Sequence, residues 1–413
     1  MKKFIHALCM LVMLTGLAAC SSDDDNVTAY YPLTVNIELP EGISAADLTT
    51  ASVTVTNVQT GRSYSSQEAM DTYTFQLDGG TYNVQASMRI NDGGTITSYN
   101  ASREISVYDA TTLQLQLQEA LSGGLIFKEV YYSMVKPNGK MPYMRDQFFE
   151  IYNNSDEVLY LDNCVLGLLE GTQGILPTAW MENGEIMDKY AMGYYTVAFV
   201  GTGKQYPVEP GKSVVIASQA LDHIAETQKM YDSSVAGAKL SPVNLANADY
   251  EVCLIDYKPA MSIDNPDVPN MTIIHAAGTG NYFSLPFSGN AIILAKLPEG
   301  VDPIAYAKDE SNFMERPDGN YAGTEYLMIP QEYVLDGINI VNSDASKRTI
   351  RLRAEVDAGS VSMTENYSGL SIRRKVESIT DDGRAILKDS NNSSADFLTD
   401  QIPTPGIIPS TVD

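Results

Sequence analysis

Glu129 and Glu150 each sit inside a β-rich run, Ile126 to Val130 and Phe148 to Asn153. Neighbouring strands would bring the two carboxylates onto one face. Glycoside hydrolysis needs two carboxyls at a set separation. Strand carboxylates also serve as plain scaffold, pointing outward or holding backbone amides, and that reading is preferred here, so no catalytic residue is assigned. Histidine chemistry is narrow. After His6, only His223 and His275 remain, 52 positions apart and with no H-x-x-x-H or H-E-x-x-H spacing, so a multi-histidine zinc or haem site cannot be assembled. His275, beside Ala276-Ala277-Gly278, leaves a Ser-His-Asp arrangement open, but a lone loop histidine is ordinarily structural or solvated. Asp264, Asn265, Asp267 and Asn270 offer hard oxygen ligands without EF-hand spacing, and no metal is assigned to them. Gly211-Lys212-Ser213 ends like a P-loop, but Tyr206 stands where its first glycine belongs. Phe283 fills the third glycine position after Gly278-Thr279-Gly280, and there is no G-x-S-x-G elbow. No cofactor is expected and the chain is read as a non-enzyme.

Aromatic residues are the better candidates for binding. Residues 170–206 hold Trp180, the single tryptophan, with Tyr190, Tyr194 and Tyr195. Tyr282 lies in 256–290, a stretch rich in Pro, Asn and Gly, and Tyr321 lies in 302–337. Tyr outnumbers Phe 25 to 10, so many rings carry a hydroxyl that needs a partner. Such rings on loops suit a protein surface or a sugar face. The alternative is that they fill a second core beneath the loops.

The elements that must position these residues are strands. From 30 to 118 apolar residues alternate with polar ones: Leu33, Val35, Ile37; Tyr73, Phe75, Leu77; Tyr82, Val84, Ala86, Met88; Leu113, Leu115, Leu117. Period two marks strands with one buried face. Asp78-Gly79-Gly80 and Asn91-Asp92-Gly93-Gly94 are expected as hairpin turns. Ser122-Gly123-Gly124 is the expected hinge. Beyond it, one helix is expected, capped by Ser218 and carrying Leu221, Ile224 and Ala225. A helical turn is expected near Pro330 to Val334. Residues 350 to 356 alternate as a further strand, with Ile350, Leu352, Ala354 and Val356 on one side.

With 27 Lys and Arg against 52 Asp and Glu, the net charge is −25. Such a surface repels phosphate backbones, so nucleic acid is excluded as a partner. At the N-terminus, Lys2 and Lys3 precede an apolar run from Phe4 to Leu17, too short to span a bilayer. Leu17-Ala18-Ala19-Cys20 follows and resembles a bacterial lipobox. The resemblance implies a signal peptide over 1–19 and acylation of Cys20, palmitate included, which would anchor the chain to a membrane. Residues 20–29, with Asp23, Asp24 and Asp25, read as a solvated acidic tether. The acidic run resembles the surface-export signal of Bacteroidetes lipoproteins. That implies the outer membrane and the cell surface, with a periplasm-facing anchor as the alternative. Cys164 and Cys253 remain, and either a disulfide or two buried thiols is compatible with their apolar surroundings.

The expected class is mainly β. Residues 30–119, notably Leu77-Asp78-Gly79-Gly80-Thr81-Tyr82-Asn83-Val84, resemble the small Ig-like or prealbumin-like β-sandwiches of exported lipoproteins. Residues 124–413 resemble an expanded lamin-tail-like β-sandwich with long loops. The matching residues are Phe127-Lys128-Glu129-Val130 (lysine at the family's Asn), Phe148 to Asn153, Val208 to Ile216, Leu245 to Leu254, Tyr367 to Arg374, and Ser394 to Phe397 with Thr404-Pro405-Gly406. The 125–166 stretch would then form the first edge of this sandwich. The whole arrangement is similar to an uncharacterised family of Bacteroidetes lipoproteins (domain of unknown function 4876), which implies no particular activity. The reading that follows is a lipid-anchored cell-envelope binding or accessory protein. It would present loops to a protein or glycan partner, by analogy alongside an outer-membrane transporter. A secreted glycan-active hydrolase and a purely structural surface protein are the alternatives. A Cys20→Ala variant is expected to lose metabolic palmitate labelling and to leave the detergent phase on Triton X-114 partition. Labelling that persists in the variant would remove the anchor.

Overall fold

The computed structural model describes residues 29–413 except 45–47, 69, 93–94, 121–122, 172–176, 278–279 and 287. The signal region, Cys20, most of the tether, Gly93-Gly94, Ser122 and Gly278-Thr279 lie outside the described residues.

Residues 30–119 form eight described strands in two sheets: β1 (Tyr30–Glu38), β2 (Leu48–Asn57), β3 (Ser63–Ser66), β4 (Thr72–Asp78), β5 (Gly80–Asp92), β6 (Thr95–Val107), β7 (Thr111–Gln116) and β8 (Gln118–Glu119). One sheet runs β4-β1-β7 and the other β3-β2-β5-β6-β8. The alternating residues do what their period predicts: Leu33, Val35, Val53, Val55, Tyr73, Leu77, Tyr82, Val84 and Leu115 share one core. The expected hairpin at Asp78-Gly79-Gly80 is a correction. β4 pairs with β1, while β5 pairs with β2 and β6, so this turn carries the chain from one sheet to the other. A Cβ on Gly80 would come 2.8 Å from the Asn57 side chain, and that crowding explains the glycine.

The remaining chain builds two larger sheets. The first runs Tyr250–Glu251, Ser213–Ala217, β10 (Phe148–Asn153), β9 (Leu125–Tyr131), Ser371–Arg374, Phe397–Gln401. The 125–166 stretch therefore supplies the middle of this sheet, not its edge. The second is seven-stranded and includes Cys164–Leu169, Lys189–Ala198, Asn290–Lys296 and Val334–Ile340. Phe127, Val130, Phe149, Ile151, Leu166, Leu168, Val197, Ile292, Leu294 and Phe397 fill the space between the sheets. The outer faces are covered as well. Val165, Leu169, Tyr190, Ile293, Leu352 and Val356 form a core behind the second sheet. Tyr131 and Phe148, and separately Ile126 and Tyr152, are covered behind the first. Every residue of β9 and β10 is buried.

Three local expectations are corrected. The helix is α1 (His223–Gln228), and its cap is Asp222, whose carboxylate accepts from Ala225 N, so it starts later than a Ser218 cap would place it. It buries His223 and Thr227 and leaves Ile224 exposed. Residues 350–356 form no strand. The Asn339 amide oxygen accepts from Arg351 N and Leu352 N, and the Asp357 carboxylate accepts from Asn339 N, so side chains satisfy the backbone there. A helical turn, Ala354–Asp357, follows. The expected hinge is packed: a Cβ on Gly123 would lie 2.9 Å from Leu335 O, and one on Gly124 2.5 Å from Leu159. The expected turn near Pro330 is present as the 3-10 helix Gln331–Tyr333.

A polar seam joins residues 30–119 to the rest. Buried Asn100 donates to Ser390 O at 2.7 Å, Asn392 donates to Ser87 Oγ at 2.9 Å, and Arg89 pairs with Glu377 at 2.6 Å. Behind the seam, buried Arg374 holds Asp336 at 2.6 Å and Asp389 at 2.9 Å, with Asp396 at 3.7 Å. Its Nε donates to Phe127 O at 2.9 Å. Removing one partner of such a cluster strands the others in a medium that solvates them poorly. Arg374→Met is expected to cost about 3–5 kcal/mol, read as a lower denaturant midpoint. A second buried acid, Asp146, takes a hydrogen bond from Tyr131 OH at 3.0 Å, and its Oδ1 has no hydrogen-bond partner among the described residues. Burial pushes its pKa from 3.8 up to about 7, against the pull of the Ser241 and Tyr131 hydroxyls. The folded state then binds more protons than the unfolded state between those values. Stability from this group is greatest below the unfolded pKa and falls as pH rises toward the folded one. Asp146→Asn is expected to stabilise the protein more at about pH 8 than at about pH 5, read as the difference in denaturant midpoints.

Candidate functional site

Tyr190, Tyr194 and Tyr195, expected on loops, lie instead in the strand Lys189–Ala198 of the second sheet, while Trp180, Tyr282 and Tyr321 lie outside the strands. Trp180 is 4% exposed. Its indole N–H donates to Glu170 Oε2 at 3.0 Å and its ring meets Tyr326 edge-on at 5.5 Å. Met187, Ala191, Ala277 and Met328 complete the packing. Tyr190 is buried, donates to Gln331 Oε1 at 3.0 Å and accepts from Arg353 N at 3.3 Å. Tyr195 is buried and donates to Gly280 O at 2.8 Å. Tyr194, in the left-handed region at φ 49°, is half-buried with its ring against Gly280. Tyr282 is half-buried, its ring centre 5.7 Å from the Arg145 guanidinium. Tyr321 is 69% exposed.

Trp180 and Tyr190 both line a cleft with Glu170, Thr178, Lys189 and Arg351. Its volume of about 10 Å³ is close to room for one water molecule, far short of a sugar ring. The cleft therefore cannot enclose an organic ligand as it stands. The chain of contacts leaving it is more informative. Glu170 Oε1 accepts from Arg316 at 2.9 Å, and Arg316 forks onto Asp318 at 2.9 and 3.2 Å. That fork holds the Asp318 carboxyl well below its ordinary range. The Arg316 guanidinium lies 5.3 Å from the centre of the Tyr321 ring, close enough for a cation–π contact. An exposed ring is thus tied through Arg316 and Glu170 to the buried indole. Tyr321 sits at φ 57°, a backbone state that costs a non-glycine residue roughly 1 kcal/mol or more. Sequence reasoning missed Glu170, Arg316, Asp318 and Arg351. The Arg316-Pro317-Asp318-Gly319 turn was the one local signal for them.

Glu129 and Glu150 lie directly opposite each other on β9 and β10, both with no exposure, so no glycosidic bond can reach them. His223 is caged: Nδ1 meets Tyr143 OH at 2.8 Å and Nε2 meets Gln219 O at 2.9 Å. Burial pushes its pKa down to about 4, so it stays neutral. His275 packs edge-on against Phe313 at 5.3 Å, and its Nε2 has no hydrogen-bond partner among the described residues. Asn270 donates to Asp264 at 2.8 Å within the loop, and Asn265 ties the loop to Ala220 O and Ala246 O of neighbouring segments. Cys164 and Cys253 are both free thiols, and burial raises Cys164 to about 12.

The fold and site define a mainly β protein of stacked sheets with a buried aromatic cluster and one exposed tyrosine beside Arg316. Residues 209–404 match the family described as "Protein of unknown function (DUF4876)". A DUF4876 family protein from Bacteroides thetaiotaomicron VPI-5482, known from its crystal structure, is similar with a TM-score of 0.58 and 25% identity, over 92% of this chain and 99% of that one. A DUF1812 protein from the same organism aligns at 7% identity over 65% of this chain and 99% of that one. Its TM-score of 0.18 carries no argument. No curated protein matches the chain.

Proposed function

We propose that this is a lipid-anchored binding or accessory protein of the cell envelope. Cys20 holds it in the outer membrane, facing the cell surface, and residues 30–119 act as the spacer. The sandwich beyond them presents its rim to a protein or glycan partner, with an outer-membrane transporter as one such neighbour. The observation that carries this reading is the placement of Tyr321. A large ring is left exposed in a costly backbone state, beside the Arg316 guanidinium of a network rooted in the core. Such preorganised Tyr and Arg pairs make strong contact points because little side-chain freedom is lost on binding. Ile255, Tyr257 and Ile263 are also exposed, with Tyr257 packed edge-on against Tyr195. The test is quantitative binding to glycan arrays and to envelope proteins cross-linked on intact cells. Tyr321→Ala is expected to weaken the captured interaction by about 2 kcal/mol, roughly thirtyfold, with an unchanged unfolding midpoint. Equal binding by variant and parent would overturn the reading.

A further inference from the structure

Lys128 is the feature of β9 that the proposed binding role leaves unused. It stands in a strand whose seven residues are all buried. The pairing of β9 with β10 slips at this point: Glu150 faces Glu129, but Ile151 faces Phe127, so Lys128 is the extra residue of a β-bulge. The bulge turns Lys128 onto the face that carries both glutamates. Its Nζ lies 2.7 Å from Glu150 Oε2 and 3.8 Å from Glu129 Oε2, and all three side chains have no solvent exposure.

The hydrogen bonding is lopsided. A lysine ammonium has three donors, yet among the described residues Lys128 makes one hydrogen bond, to Glu150. Two buried N–H groups on a charged nitrogen are expensive to leave unpaired. The Glu150 Oε1 atom accepts from Ser213 Oγ at 2.5 Å. Glu129 is held by Ser371 Oγ, by Thr404 N at 3.2 Å and by Thr404 Oγ1 at 3.1 Å. The 404 turn thus lies over the group. Burial raises the Glu129 pKa, which suits a carboxylate that takes up a proton and gives it back.

We propose that Lys128 and Glu150 condense into an intramolecular amide cross-link, with Glu129 as the proton carrier. The ammonium passes one proton to Glu150 Oε2 along the 2.7 Å contact, giving a neutral amine and a neutral acid. The amine lone pair attacks Cδ and forms the N–C bond, while Ser213 O–H stabilises the charge that develops on Oε1. Glu129 removes a proton from the attacking nitrogen and returns it to the departing Oε2 hydroxyl. The C–O bond breaks and water leaves. Ammonium plus carboxylate become amide plus water, neutral in sum on both sides, and Glu129 ends unchanged. Fixed proximity substitutes for an activated acyl group, and exclusion of solvent from the site opposes hydrolysis. The product needs one N–H partner in place of three, and Glu129 is beside it. The bond would staple the two central strands of the first sheet.

The test is peptide mass spectrometry of the full-length protein extracted from membranes and digested with trypsin. Expected is a joined peptide pair carrying Lys128 and Glu150, lighter by one water than the sum, with no cleavage after Lys128. Glu129→Gln keeps the shape of the site and is expected to lower the joined fraction at least tenfold, roughly the scale of a lost proton carrier. Complete tryptic cleavage after Lys128, with the Glu150 peptide at its full mass in correctly folded parent protein, would overturn the cross-link. Equal joining in Glu129→Gln would overturn the role of Glu129. Both readouts are independent of any partner, so they stand apart from the binding proposal.

Discussion

Burial of both faces of β9 and β10 is the constraint on which the C-terminal region depends. A strand covered on one side can leave its polar residues in water. A strand covered on both sides must satisfy them inside. Lys128, Glu129 and Glu150 are such residues, and the groups that meet them come from far along the chain: Ser213, Ser371 and Thr404. Their pairing fixes the register of the strands Ser213–Ala217 and Ser371–Arg374 against the centre and seats the 404 turn above it. Arg374 extends the same logic to the next layer, joining Asp336 of the second sheet to the backbone of β9. The sheets are therefore held by a small polar framework as well as by the apolar core between them.

Double coverage also explains the tyrosines. A phenol can fill a core while its hydroxyl closes an exposed end of the hydrogen-bond ledger. Tyr152 does so to Ala385 O at 2.6 Å, Tyr190 to Gln331, and Tyr195 to Gly280 O. Trp180 has the same habit, with its N–H on Glu170. The rings of 170–206 therefore fill cores: Tyr195 between the sheets, Tyr190 behind the second, and Trp180 in a small cluster with Tyr326. What distinguishes Tyr321 is that the network beneath it is complete without its hydroxyl, which leaves the ring for other contacts.

Legibility differed by region for a physical reason. In residues 30–119 each strand has one wet face, so Leu33-Thr34-Val35-Asn36-Ile37 announces itself by period two. Which sheet each strand joins was not legible: the glycines at 79 and 80 look alike whether the chain folds back or crosses over. In the 350–356 segment the alternation was real, but the side chains of Asn339 and Asp357 took the backbone bonds a ladder would have used. Asp222, not Ser218, caps α1 because the backbone before it is taken up by distant partners, Ser218 N by Gln147 O and Ala220 N by the Glu251 carboxylate. Beyond residue 124 the runs at 126–130, 148–153 and 208–216 were legible, but the strands Lys189–Ala198 and Glu325–Pro330 lie in stretches read as loops, because strands covered on both faces lose the alternation that marks a half-wet strand.

By itself the sequence determined the mainly β class, the acidic surface, the run of strands with one wet face and the presence of aromatic insertions. These are local properties of period and composition. Only the tertiary structure decided that Glu129 faces Glu150 across a bulge with Lys128 between them. It alone also decided that Trp180, Tyr190 and Tyr195 are core, and that Arg316 links Glu170 to an exposed Tyr321. Those facts depend on which strands are neighbours and on which faces are covered. Both are set by contacts between residues tens to hundreds of positions apart, and no local pattern encodes them.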